Sequence, residues 1–189
     1  MYSIRPNLII GFHGCEKEVA IKVINGEEDL KFSTNPYDWL GNGMYFWEND
    51  YQRALEYAEE LRFKEPFVLG GILNLGHCLD LASRKGVNIL KHSYDNLLKE
   101  SMKTSITNKK GKRGSINGDL LLRFLDCAVI EALHEFNEIS EIQQYDSVKA
   151  AFWEGKELYP TAGFREKNHI QICIRNPKCI LGYFLPRNI

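Results

Sequence analysis

YDWLGNGMYFWENDYQRALEYA, residues 37–58, places two turn glycines, an aromatic strand and an amphipathic helix end to end without a spare residue. Gly41-Asn42-Gly43 permits backbone angles or close approaches that a side chain would forbid. Met44 to Trp47 is rich in the aromatic residues that favour a pleated, half-buried strand. Asn49 or Asp50 can cap the helix that follows, and Tyr51, Ala54, Leu55, Ala58 and Leu61 recur on one face of it. Tyr57 lies just off that face. So compact a run of glycines and aromatics predicts a binding site.

Upstream, Leu8 to Phe12 is a short apolar run that delivers His13 and Gly14 to its end, and Glu16 to Ile24 has the spacing of a short helix closed by Asn25-Gly26. Glu27 to Asp38 is polar and turn-rich, an ordered loop. Downstream, Phe67 to Leu75 is a second long apolar run, broken by Gly70-Gly71, and Gly76 to Leu81 ends it as a turn and short strand. Residues 83–147 change character: two sets of apolar residues repeat at helical spacing, around Val87 to Leu98 and Leu121 to Leu133, and a third, shorter helix is predicted over Ser147 to Trp153. The glycine-broken basic segment at 109–114 between the first two predicts a loop. The chain then returns to strands, with His169 to Ile174 alternating and Asn176-Pro177 turning into Ile180 to Leu185 as a terminal hairpin.

The bulk properties bound the classes. At 189 residues and 44% hydrophobic, the chain can bury a sizeable core, and no repeat or linker divides it, so one domain over 1–189 is expected. A formal net charge of −1 gives no global attraction for nucleic acid or an anionic membrane. No stretch approaches the roughly 20 apolar residues of a membrane span, and no signal peptide is evident, which predicts a cytoplasmic protein with no membrane partner. The five cysteines are odd in number and widely spaced, suiting neither a disulfide framework nor a metal-ligand pattern. No metal is expected.

In this layout the sequence resembles the ADP-ribosyltransferase superfamily, in the branch of the poly(ADP-ribose) polymerases and diphtheria-type toxins with its H-Y-E triad. The residues that carry the resemblance are Phe12-His13-Gly14, the G-x-G-x-Y-F segment Gly41 to Phe46, Tyr57 on the following helix, the strand over VLGGILNLGHCL (68–79) and the late strand His169 to Ile174. It covers roughly residues 8–81 and 163–185. The order and spacing of the motifs make the case, since each alone is common. The implied fold is α+β, an ADP-ribosyltransferase-like split antiparallel β-sheet with a helical insertion at about 83–153.

The resemblance implies NAD+ as co-substrate. His13 would hydrogen-bond an adenosine-ribose hydroxyl, the Gly14 backbone would pair with the nicotinamide carboxamide, and Tyr45 and Tyr57 would sandwich the nicotinamide ring. The implied activity is mono-ADP-ribosylation of a macromolecular acceptor, protein or nucleic acid, with release of nicotinamide; a small free-standing chain of this kind resembles bacterial toxins and anti-phage effectors. The family's glutamate, which holds the nicotinamide ribose, is replaced: Gln171 falls in its slot, and Glu166, on the loop leading in, is the next candidate, with Glu154 and Glu157 nearby. Glutamine orients a hydroxyl but carries no charge. A catalytically weak or silent NAD or ADP-ribose-binding module, or an NAD+ glycohydrolase, are therefore the alternatives.

Overall fold

The computed structural model describes residues 8–100, 106–111 and 118–187. It is an α+β architecture: β1 (Ile9–Glu16), α1 (Lys17–Asn25), β2 (Met44–Glu48), α2 (Tyr51–Glu60), β3 (Pro66–Leu73), β4 (Cys78–Asp80), α3 (Arg84–Glu100), α4 (Phe124–Ile139), β5 (Ser147–Phe152), β6 (His169–Ile174) and β7 (Ile180–Phe184). The strands form one mixed sheet in the order β4-β5-β6-β2-β1-β3-β7, antiparallel except for the β4/β5 pair. That parallel pair departs from the wholly antiparallel sheet expected from the sequence.

Two further expectations are corrected. Residues 147–152 form a strand, not a helix: alanines 150 and 151 favour a helix locally, but the segment fills the slot between β4 and β6, and that pairing overrides propensity. The last two strands are not a hairpin. β6 is flanked on both sides by β5 and β2, so a short 3-10 turn at Pro177–Cys179 carries the chain away, and β7 pairs with β3 at the opposite edge. Much of the basic segment, residues 112–117, lies outside the described residues.

Alternation along β2 separates the two faces of the sheet. Phe46, with Met44, joins Leu69, Leu73, Ile172 and Ile174 in a core closed by Ala20 and Val23 of α1. On the other face, Val148, Ala150 and Cys173 pack beneath Ile130 and Leu133 of α4, while Phe12, Trp47 and Val68 pack against Ala54 and Leu55 of α2. Tyr45 and Trp47 point to this second face, between the α2 and α4 layers.

The join between the two halves of the sheet is short. β1 and β3 pair along their whole length, from Ile9↔Leu73 to Glu16↔Pro66, but β1 and β2 pair only at Gly11↔Glu48 and Phe12↔Trp47. Where that ladder would continue, the ring of His13 donates from Nδ1 to the Tyr45 carbonyl at 2.7 Å. The strands part there, and a cleft opens.

Candidate functional site

The cleft has a volume of about 860 Å³ and is lined by His13 and Gly14 of β1, Tyr45 and Trp47 of β2, Arg53 and Tyr57 of α2, Glu154 from the loop after β5, and His169 and Gln171 of β6. Gly111, Leu121 and Leu122 close part of its rim. Each wall is placed by a local device. Asp50 caps α2 by accepting from the Arg53 backbone N–H at 2.9 Å, which fixes where the helix starts. The alanines at 54 and 58 let α2 approach β1 so closely that a Cβ on Gly14 would lie 2.1 Å from the Ala54 carbonyl oxygen. Gly14 is needed for that contact, since its φ is not in the left-handed region.

The turn before β2 is clamped from two sides. Gly41 has φ +77°, and Glu131 of α4 accepts from the Asn42 backbone N–H and from Asn42 Nδ2, each at 2.8 Å. Arg175 in turn donates to both Glu131 oxygens and to the Asn42 carbonyl. The turn anchors Tyr45: its hydroxyl donates to the Gly41 carbonyl at 2.5 Å and accepts from the Leu40 N–H at 2.9 Å. Burial pushes the Tyr45 phenol well above its ordinary range, so it stays protonated. Its ring is fixed and its hydroxyl is committed to the turn. Tyr57 packs against Trp47, centroids 4.9 Å apart and rings tilted by 46°. Tyr45, Trp47 and Tyr57 together form an aromatic wall.

At the inner end of the cleft lies a buried ion pair. Arg53 Nη2 donates to Glu154 Oε2 at 2.9 Å, and the two side chains are 7% and 9% exposed. Arg53 Nη1 lies 3.8 Å from Glu60 Oε1, which Lys167 also reaches. Beside this network His169 donates from Nδ1 to the Lys167 carbonyl at 2.8 Å, with Nδ1 3.9 Å from Glu154 Oε2. Gln171 stands next to His169 on the same face of β6, opposite Trp47.

His13, His134 and His169 all ionise below the ordinary histidine range, and burial is the leading cause for each. The native state therefore holds these protons less tightly than the unfolded chain, whose histidines titrate near 6.5. This contribution to stability is complete above that pH and is lost as the pH falls through it. Urea unfolding at pH 7.5 and 5.5 checks the sign: the midpoint is expected to be lower at 5.5, and an unchanged or higher midpoint contradicts it.

No family model matches the chain, and no solved structure matches it. It is similar to a protein of Methanocaldococcus jannaschii described as uncharacterized, 25% identical over 190 residues that cover 89% of this chain and 83% of the relative.

The residues singled out from sequence divide as follows. His13, Gly14, Tyr45, Tyr57 and Gln171 come together on the one cleft. Glu166 does not line it; its Oε2 accepts from the Lys156 N–H at 3.3 Å on the loop outside. Glu157 is likewise occupied locally, accepting from the Thr161 N–H. Of the loop carboxylates weighed, Glu154 is the one at the cleft. Cys15 also lines it, but burial pushes its thiol up to about 11, which leaves it protonated and poorly nucleophilic. Among the described residues no group of three or more His, Cys, Asp or Glu side chains could hold a metal ion, and no helix is long and apolar enough to cross a membrane.

Sequence reasoning passed over Trp47 and Arg53. Both carried a signal. Trp47 is two residues from Tyr45 and so shares its face of the strand, and Arg53 lies four residues before Tyr57, one helical turn away on the same stripe.

Proposed function

We propose that the protein is an NAD+-dependent mono-ADP-ribosyltransferase that moves ADP-ribose to a macromolecular acceptor and releases nicotinamide. The observation that carries this is the convergence of His13, Gly14, Tyr45, Tyr57 and Gln171, from four separate elements, on one cleft large enough for a dinucleotide. In this reading the sheet is the ADP-ribosyltransferase-like split sheet, parted at His13, and residues 83–153 are an elaboration on it. Tyr45, held rigid by its turn, and Tyr57, backed by Trp47, present aromatic faces to the cationic nicotinamide ring. His13, neutral with Nδ1 committed to the Tyr45 carbonyl, offers Nε2 as an acceptor for a ribose hydroxyl. Gln171 orients the nicotinamide ribose. A role as a toxin or anti-phage effector follows from the family resemblance alone.

Incubation with labelled NAD+ and a cell lysate tests the reading. Label transfer and nicotinamide release are expected; their absence, together with no rise in melting temperature at high NAD+, would overturn it. A ligand at a hundredfold excess over its dissociation constant stabilises the native state by about 2.7 kcal/mol, well within reach of a thermal shift. Tyr57→Ala removes one face of the ring clamp, and NAD+ binding is expected to weaken by about tenfold, the equivalent of about 1.4 kcal/mol. Calorimetry reads the change, and an unaltered dissociation constant would remove Tyr57 from the site.

A second reading has its own support. Gln171 is uncharged and the Glu154 carboxylate is engaged by Arg53, so neither of these two offers the ribose a free negative charge. A silent NAD or ADP-ribose-binding module would bind NAD+ tightly without turnover, and a glycohydrolase would release free ADP-ribose without an acceptor.

A further inference from the structure

The segment that leads into α4 forms part of the rim of the cleft. Leu121 and Leu122 line the cleft, and the chain around them is fastened to three other segments. Arg123 donates its backbone N–H to the Tyr37 carbonyl at 3.3 Å, and the Leu121 carbonyl accepts from Trp39 Nε1 at 2.8 Å. Leu122 exchanges both backbone hydrogen bonds with Lys109, at 2.8 and 2.9 Å. Asp119 reaches the loop between β5 and β6: its Oδ2 accepts from the Gly155 N–H at 2.9 Å and its Oδ1 from Arg165 at 3.1 Å. Tyr37, Trp39 and Glu154 also line the cleft, so residues 119–123 tie together segments that form its wall.

The two ends of this strap are held by different forces. At the α4 end the Arg123 guanidinium carbon lies 4.3 Å from the ring centroid of Trp39 and 5.0 Å from that of Phe152, and the same side chain donates to Asp126 at 3.1 Å. Asn108 accepts from the Leu125 and Asp126 N–H groups, which fixes the start of α4. Packing anchors this end. At the other end both hydrogen bonds are made by one carboxylate, and the side chains of the Asp119–Arg165 pair are 16% and 36% exposed. An ion pair so open to solvent is screened by salt and adds little to global stability, so it can break while the rest of the fold stays intact. Gly118, just before it, has φ +82° and nothing within 4 Å of where a Cβ would stand, so no neighbour resists a change of its backbone angles.

We propose that residues 119–123 are a strap that gates ligand exchange at the cleft, released at Asp119 and hinged at Arg123. The inference rests on the NAD+ reading and deepens it by assigning the regulation of that site. With Asp119 bound to Gly155 and Arg165, Leu121 and Leu122 are held in the wall, and ligand enters and leaves slowly. Once that contact breaks, the strap swings on its packed end and exchange is fast. Segments that open do so at a local free-energy cost well below that of global unfolding, and a solvent-exposed tie at one end provides it. The strap belongs to residues 83–153, which gives the helical elaboration a task at the site.

Stopped-flow tryptophan fluorescence follows NAD+ binding to the full chain, since Trp39 and Trp47 line the cleft. In Asp119→Ala the dissociation rate is expected to rise by about tenfold, the scale of one lost charge-assisted hydrogen bond, and the association rate to rise with it. The dissociation constant then changes less than the dissociation rate. Asp119→Asn keeps an oxygen for the Gly155 N–H but loses the ion pair, and its rates should fall between those of Asp119→Ala and wild type. Rates within about twofold of wild type in Asp119→Ala overturn the proposal. A lowered association rate also overturns it, because Asp119 would then support the bound state instead of gating access to it.

Hydrogen exchange on the ligand-free wild type needs neither NAD+ nor a folded variant. Raising NaCl from about 0.05 to 0.5 M, which shortens the screening length roughly threefold, is expected to speed exchange at the Gly155 amide. The Arg123 amide, at the hinge, and the middle of α4 should be unaffected. Unchanged exchange at Gly155, or equal loss of protection at Gly155 and Arg123, overturns the strap. Wild-type protein that neither binds nor splits NAD+ removes the NAD+ reading, and exchange at Gly155 then still upholds or overturns the strap.

Discussion

Arg53→Met is expected to destabilise the protein by about 3–5 kcal/mol. The residue is among the most buried charges in the molecule, and its guanidinium donates to Glu154 at 2.9 Å with both side chains below a tenth exposed. Methionine fills much the same length but leaves the Glu154 carboxylate inside with no cation against it. That uncompensated charge is the source of the loss, because a buried ion pair taken as a whole offers little net stability over an apolar pair. The double variant Arg53→Met/Glu154→Gln is therefore expected to recover most of the stability that the single variant loses. Urea unfolding of the wild type, both single variants and the double variant gives the coupling free energy directly. Additive single effects would show that the pair is not coupled as the geometry implies. Arg53 also passes through Glu60 to Lys167, so part of the loss will come from the loop between β5 and β6, which Lys167 helps to tie down.

Gly14→Ala is the second large effect. The added methyl would sit 2.1 Å from the Ala54 carbonyl oxygen and 3.3 Å from the Ala58 nitrogen, and both are backbone atoms that no rotamer change can move. Either α2 or β1 must shift. Overpacking a core commonly costs 1–3 kcal/mol, and a clash between two backbones belongs at the upper end, about 3 kcal/mol or more. Because Gly14 and Tyr57 line the same cleft from the two elements that would separate, a thermal shift with NAD+ should be lost alongside the stability. An unchanged urea midpoint would contradict the close packing described for β1 and α2. Gly26→Ala is the control: it has left-handed φ but nothing within 4 Å, so it tests backbone strain without a clash.

The contrast between what could and could not be read from sequence follows the distance over which each feature is decided. The glycine turn, the strand from Met44 and the helix from Tyr51 are local, set by φ freedom, alternation and a capping aspartate, and they lie where those signals put them. The strand that bears His169 and Gln171 shows its alternation in the same way. The segment 147–152 failed because its alanines suit a helix while its partners, β4 and β6, are distant in sequence or follow a long loop. The terminal hairpin does not form because β6 already has a neighbour on each side, so adjacency in sequence does not become adjacency in the sheet. At the site, the histidine, tyrosines and glutamine were legible as motif positions. The Arg53–Glu154 contact spans 101 residues and could not be, and Glu166 was favoured over Glu154 because nothing in a loop's sequence says which carboxylate turns inward.

The short seam between β1 and β2 also bears on modularity. One side of it holds β1, β3 and β7, and the other holds β2, β4, β5 and β6. The chain crosses from one side to the other four times, at β1 to β2, β2 to β3, β3 to β4 and β6 to β7. Few hydrogen bonds join the two sides, yet no single cut in the chain yields either of them whole. The cleft cannot be inherited, exchanged or expressed as a half: a fragment from either terminus would expose unpaired strand edges, and both walls stand or fall together.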